Sequence, residues 1–213
     1  MGKMTIILAL FIVIFICVPI LVYKAGNMPE PTGEVSGEID TFYEPVQESY
    51  SGEKFPHVVE GVQFMIEPVA TYEIAFVVLS IRYHYSTLED KLSPVDLCVV
   101  WGELAEPENI EHIYSLQAAR WCSYRYDGEL SLDAFYVESH VANIHVVPAN
   151  ENVLKAVKSI KKGQKAVLEG FLVKVYREGR LIWSSSLTRT DSGDGACEVF
   201  YVTKVRIDTV IYE

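Results

Sequence analysis

Residues 74–85 read IAFVVLSIRYHY. In the second half of that run Leu79, Ile81, Tyr83 and Tyr85 alternate with Ser80, Arg82 and His84. A period of two sends alternate side chains to opposite faces of a pleated strand, so the run predicts a β-strand with one buried face. Shorter runs of the same kind lie on both sides. Residues 62–66, 97–101, 120–126 and 144–147 read as strands, the second entered through Ser93-Pro94 and the last ended by Pro148. Residues 166–176 and 181–187 flank Arg177-Glu178-Gly179-Arg180, a hairpin turn signal. Residues 197–207 supply a closing strand.

One helix interrupts the strands. Asn150 suits its N-cap, Glu151 its first turn and Gly163 its stop. Val153, Ala156, Val157 and Ile160 form an apolar stripe with Leu154 at its margin, and Lys155, Lys158 and Lys162 fall opposite. A second helix fits residues 110–118, while residues 133–143 suit helix and strand equally. The expected fold class is therefore α+β: a β-rich domain, built as a curled sheet or partly closed small barrel, with one clear amphipathic helix.

The chain front is of another kind. Residues 5–23, TIILALFIVIFICVPILVY, carry no formal charge and lie between Lys3 and Lys24. As a helix the run is about 28 Å long, close to one hydrocarbon thickness. Its apolar core exceeds that of a cleaved signal peptide, and Tyr23 is too bulky for a cleavage site. The expectation is an uncleaved transmembrane anchor preceded by a four-residue tail, residues 1–4. Lys3 and the amino terminus favour N-in insertion, which places the rest of the chain outside the cytoplasm. Residues 24–54 hold seven acidic residues, three Pro and four Gly, the composition of a flexible acidic linker. Residues 55–213 then make one extramembrane domain.

From residue 55 onward 15 Lys and Arg face 22 Asp and Glu, a net charge of −7. This balance argues against a nucleic-acid partner, which needs clustered cations. Of the four cysteines Cys17 lies in the anchor, and Cys98, Cys122 and Cys197 follow without CxxC spacing. No disulfide framework is expected, although one bridge is compatible with an oxidising compartment; the preferred reading is small buried hydrophobes on strands.

The runs SHVANIHVVPAN (139–150), GQKAVLEGFLVKV (163–175) and WSSSLTRTDSGDGACEVFYV (183–202) resemble a pattern in uncharacterised bacterial single-pass membrane proteins. The likeness covers roughly the last 75 residues and implies an envelope setting rather than an activity.

Several groups invite a chemical reading. Asp191-Ser192-Gly193-Asp194-Gly195 is similar to the Gly-Asp-Ser-Gly-Gly of chymotrypsin-like proteases, but Thr190 replaces the first Gly and no Ala-Ala-His-Cys is present. A nucleophile at Ser192 or Cys197 needs a histidine base, and His140 and His145 are the nearest in sequence. The simpler reading is a turn in which Gly supplies positive φ and Asp caps its own backbone. Asp191 and Asp194 are hard oxygen ligands, yet Gly193, Gly195 and Val202 occupy positions where an EF-hand needs oxygen donors. His140 and His145 are five apart, a spacing that neither a helical nor a strand zinc pair uses. No metal and no cofactor are expected. Arg189 beside Asp191 and Asp194 suits a recognition loop, and Lys155, Lys158 and Lys162 head a local basic excess fit for an acidic partner. Tyr83, Tyr85, Trp121, Tyr124 and Tyr126 read as ordinary sheet surface.

The expectation is thus a protein of the bacterial inner membrane, anchored through residues 5–23, with its C-terminal domain extracytoplasmic. Its expected role is a non-enzymatic accessory or assembly module that binds an envelope protein or itself. The alternative is a small envelope hydrolase using Ser192 or Cys197 with His140 or His145. What separates the two is whether either histidine reaches either nucleophile in a cleft.

Overall fold

The alternating run belongs to a 22-residue strand, and this long strand organises the sheet. The structure is a computed structural model that describes Phe15, residues 26–188 and residues 197–213. Residues 5–23 otherwise lie outside the described residues; among those described, no helix is long and apolar enough to cross a membrane. The strands are β1 (Gly33–Glu34), β2 (Val46–Ser49), β3 (Phe55–Val59), β4 (Val62–Tyr83), β5 (Val95–Val100), β6 (Ile113–Ala118), β7 (Trp121–Tyr126), β8 (Val141–Pro148), β9 (Lys165–Arg177), β10 (Arg180–Ser184), β11 (Glu198–Ile207) and β12 (Val210–Tyr212). The helices are α1 (Leu88–Leu92), α2 (Pro107–Ile110), α3 (Ala134–Ser139) and α4 (Glu151–Ser159). The domain is β-rich α+β, as its sequence patterning implies.

Five strands close a ring. β4 pairs with β5, β5 with β8, β8 with β11, β11 with β9, and β9 returns to β4. All pairings are antiparallel except β8 with β11, and α4 falls between β8 and β9. That is the topology of an OB-fold barrel, with β4, β5, β8, β9 and β11 as its five strands. β4 serves both neighbours because it is long and bulged: residues 65–77 pair with β9 and residues 77–83 with β5, and the register slips between Pro68 and Ala70. Pro68 lacks an N–H, so a bulge is where such a strand tolerates it.

The ring interior is the main core. Tyr72, Ile74, Phe76 and Val78 of β4 alternate inward to meet Leu97, Val99, Ile144, Val146, Leu168, Leu172, Phe200 and Val202. Val153, Ala156 and Val157 of α4, with Ile160 just beyond it, seal this cluster. Burying each such aliphatic side chain stabilises the fold by about 1.5–3 kcal/mol. Asn150 caps α4 as expected, its side chain accepting from the Val153 N–H at 2.9 Å. The helix ends at Ser159, ahead of Gly163, which instead occupies the following turn at φ 79° and donates to the Val78 carbonyl.

Gly170 is placed by the closure of the ring. It lies in β9 at φ 156°, and a Cβ there would run into the carbonyl oxygen of Tyr201 on β11. Gly170→Ala is expected to cost on the order of 3 kcal/mol and about 10 °C in Tm. A melting temperature within a degree or two of wild type would show that the two strands part easily at this point.

Two segments differ from the sequence reading, and a third, suited equally to helix and strand, takes up both. Of residues 24–54, expected as a flexible tether, the described part from residue 26 onward is laid along the domain: β1 pairs with β12, β2 with β4, and Ile39 and Thr41 are buried. Strand pairing uses main-chain groups, which an acidic composition does not remove. Residues 110–118, a candidate helix, instead form β6 after the short α2; buried and exposed positions alternate along β6, a strand period that its helix-forming residues disguise. Residues 133–143 resolve into α3, capped by Asp133, and the start of β8. Finally, Cys98 and Cys122 form a disulfide between β5 and β7, so two cysteines read as reduced core residues tie the β6–β7 hairpin to the barrel.

Candidate thiol site on the outer barrel face

β5, β8 and β11 lie side by side, and their register decides the site. Asp96 of β5 stands opposite His145 of β8, and His145 stands opposite Val199 of β11. Leu97, Val99, Ile144, Val146 and Phe200 point into the barrel. By the period of two, Asp96, Asn143 and His145 therefore point outward. Cys197, two residues before Val199, joins them at the mouth of β11. This outer face carries apolar clusters on both sides, one around Leu79, Val100 and Val137 and one around Phe64, Val173 and Val199. The polar group lies between them.

Asp96 is only 1 % exposed and is surrounded by donors. His145 Nδ1 lies 2.9 Å from its Oδ1, His84 Nε2 lies 2.8 Å from its Oδ2, and Arg120 Nη1 donates to Oδ1 at 3.0 Å. A buried carboxylate in an apolar strand is tolerable only with such partners. Arg120 reaches further, donating through Nη2 to Asp90 at 2.7 Å and to the Ser93 carbonyl at 3.0 Å. Burial works to raise the pKa of Asp90. The Arg120 guanidinium and the Thr87 and Ser86 amides outweigh it and hold this carboxyl at about 2.

The Cys197 thiol is the next neighbour of the His145 imidazole in the same cavity lining, near enough to favour its protonated form. With Nδ1 turned to Asp96, Nε2 is the nitrogen left for sulfur. Burial alone would lower the pKa of His145; Asp96 first, and Cys197 after it, outweigh burial and raise it to about 9. Asn143 completes the cluster. Its Nδ2 donates to the Arg120 carbonyl at 2.7 Å and lies 3.2 Å from Cys197 Sγ.

A cavity of about 290 Å³ opens over these groups, lined by Arg120, Trp121, His145, Trp183, Ser184, Cys197 and Val199. Trp183 stacks on His145 with ring centroids 5.2 Å apart, and the Arg120 guanidinium lies 5.0 Å from its ring centre. β10 carries a register shift between Leu181 and Trp183, the kind of irregularity that re-aims a side chain. Ala119 and Arg120 form the β6–β7 turn at φ 49° and 65°, a left-handed pair without Gly or Asn. Such strain persists where surrounding contacts over-determine it, and Arg120 is held by Asp90, Ser93, Asp96 and Asn143.

Of the residues singled out from sequence, the structure brings together His145 and Cys197. His140 lies elsewhere: its Nε2 is 2.7 Å from Glu44, and its ring stacks on Tyr136 at 3.8 Å. Lys155 and Lys158 lie on α4, with Lys155 paired to Glu151 at 3.3 Å, and Lys162 is exposed just beyond. Arg189, Asp191, Ser192 and Asp194 fall in 189–196, outside the described residues. Among the described residues no group of three or more His, Cys, Asp and Glu side chains is arranged to hold a metal ion. Asp96, Arg120, Asn143 and Trp183 were not legible as site residues. Asp96 did leave a trace, as the lone charge in VDLCVV. Compared with known proteins, the chain matches no family model, no curated protein and no solved structure.

Proposed function

We propose that this protein is a membrane-anchored cysteine enzyme of the bacterial envelope that cleaves or transfers acyl groups through Cys197. The observation that carries this reading is that His145, oriented by Asp96 at 2.9 Å, and Cys197, with Asn143 Nδ2 3.2 Å from its sulfur, share the lining of one cavity. A nucleophile, a base in contact with it and an acid orienting the base make up the arrangement of thiol acyl-transfer sites. With its pKa raised to about 9, His145 keeps at neutral pH the proton it takes from the Cys197 sulfur for attack. Sulfur attacks the substrate carbonyl carbon; an S–C bond forms and the C=O electron pair moves onto oxygen. When that pair returns, the leaving group departs with the proton from His145. Water, giving a proton to the neutral imidazole, then attacks the thioester, releases the acid and frees sulfur.

The site occupies the outer face of β5 and β8, with Cys197 just ahead of β11. OB-fold proteins bind ligands on the corresponding face, a support by analogy alone. The envelope setting rests on residues 5–23 as the anchor, on the resemblance of the last 75 or so residues to single-pass bacterial membrane proteins, and on the Cys98–Cys122 disulfide, a bond of oxidising compartments. Between such an anchor and β1 the chain has about nine residues, which span at most about 30 Å, so the site would work close to the membrane. The accessory-module reading, with an envelope protein or a second copy as partner and no nucleic acid, keeps one observation in its favour. Tyr114, Leu116 and Tyr126 of the β6–β7 hairpin are exposed, Leu116 by 70 %.

The full chain in detergent, treated with p-nitrophenyl acetate, is expected to gain an acetyl group at Cys197, located by peptide mass spectrometry. Cys197→Ala abolishes that adduct, and His145→Ala slows its formation by about 10²–10⁴-fold. Acetylation no faster than that of a free cysteine peptide would remove the enzyme reading and leave the binding module.

A further inference from the structure

Asn143 is held by more contacts than a surface amide needs. One residue along β8 from Ile144, it stands opposite Cys98, whose disulfide secures the hairpin above it. The 2.7 Å contact from its Nδ2 to the Arg120 carbonyl fixes which way the amide faces, since only nitrogen can donate there. The same nitrogen has a second hydrogen, and Cys197 Sγ lies 3.2 Å from it. A donor within reach of sulfur is also within reach of an oxygen one bond removed from the carbon that sulfur attacks. The amide is tied to the strained Ala119–Arg120 turn on one side and to the barrel on the other, so little reorganisation accompanies reaction.

We infer that Asn143 is a further catalytic residue, whose Nδ2–H, free to leave sulfur, stabilises the oxyanion that forms when Cys197 attacks a carbonyl. The inference rests on the thiol-enzyme reading above. When the S–C bond forms, sulfur gives up the electron density that the N–H was contacting, and negative charge appears on the former carbonyl oxygen. The donor then moves to the stronger acceptor. Its contribution exists only in the transition state and the tetrahedral intermediate, which is the condition for accelerating chemistry rather than tightening binding.

Two reagents separate this role from simple positioning of sulfur. Iodoacetamide alkylates a thiolate by displacement at a saturated carbon, with no oxyanion; p-nitrophenyl acetate acylates through one. Rates of both at Cys197 are measured on the full chain in detergent for wild type, Asn143→Ala and Asn143→Leu, the latter close to Asn in shape without an N–H. Near-UV circular dichroism reports whether the Trp121 and Trp183 environment survives. The expected result is a 10²–10³-fold loss in acetylation with alkylation within about threefold of wild type, in whichever variant keeps the native spectrum. Equal losses in both reactions would make Asn143 a positioning residue and overturn the inference, as would unchanged acetylation. A wild-type protein that is alkylated but never acetylated would instead overturn the thiol-enzyme reading, and the oxyanion role with it.

Discussion

Asp96→Ala is expected to lower stability by roughly 3–5 kcal/mol, because it leaves buried cations without their counter-charge. Asp96 is 1 % exposed and takes His84, Arg120 and His145 together. After truncation Arg120 keeps Asp90 and the Ser93 carbonyl, whereas His145 keeps the Trp183 stack and its place beside Cys197 but no carboxylate. Burial, the force that opposes charge on His145, then acts with the carboxylate gone, so its pKa falls well below the wild-type value of about 9. For a chain of this size the loss corresponds to about 6–20 °C in Tm. Asp96→Asn, which retains an acceptor for one donor, should fall between Ala and wild type. Differential scanning calorimetry of the three proteins at pH 7 decides it. If all three melt within about a degree, Asp96 is not the centre of the network.

The barrel was readable in outline because its strands advertise themselves through alternation. Tyr83 and Ile81 mark the end of β4, and the apolar stripe of α4 with Asn150 as cap gave that helix its start. Ring closure was not readable, since it depends on β9 pairing with β4 along one edge and with β11 along the other, a long-range choice no local period encodes. Part of the site was visible as well. His145 and Cys197 stood out by chemistry, but 52 positions separate them in sequence, and only the parallel β8–β11 register joins them. His140 looked equivalent to His145. It lies five residues earlier, at the C-cap of α3 before β8 begins, where Glu44 and Tyr136 hold it instead. Arg120 gave no signal at all, because its role follows from a left-handed turn that its neighbours impose.

His145 should make the domain less stable at alkaline pH. Its folded pKa of about 9 lies above the 6.5 of an unfolded histidine, so folding favours the protonated form. The stabilisation is complete below about pH 6.5 and is lost as pH rises through about 9. Two to three pKa units correspond to about 3 kcal/mol, taken whole because the side chain is only 6 % exposed. His57 acts in the opposite direction: burial lowers its pKa, so it takes stability away as pH falls below about 6.5. The stability profile is therefore expected to crest near neutrality and to descend more steeply on the alkaline side. Urea unfolding of the full chain in detergent at pH 6, 7.5, 9 and 10 measures the descent. His145→Ala should be less stable than wild type at pH 6 and should lack most of the alkaline loss, whereas Cys197→Ala should shift the descent to lower pH by removing one of the two partners that hold the proton. Parallel profiles for wild type and His145→Ala between pH 6 and 10 would mean that the imidazole is neutral in the folded protein, and the proton that the leaving group needs would have to come from elsewhere.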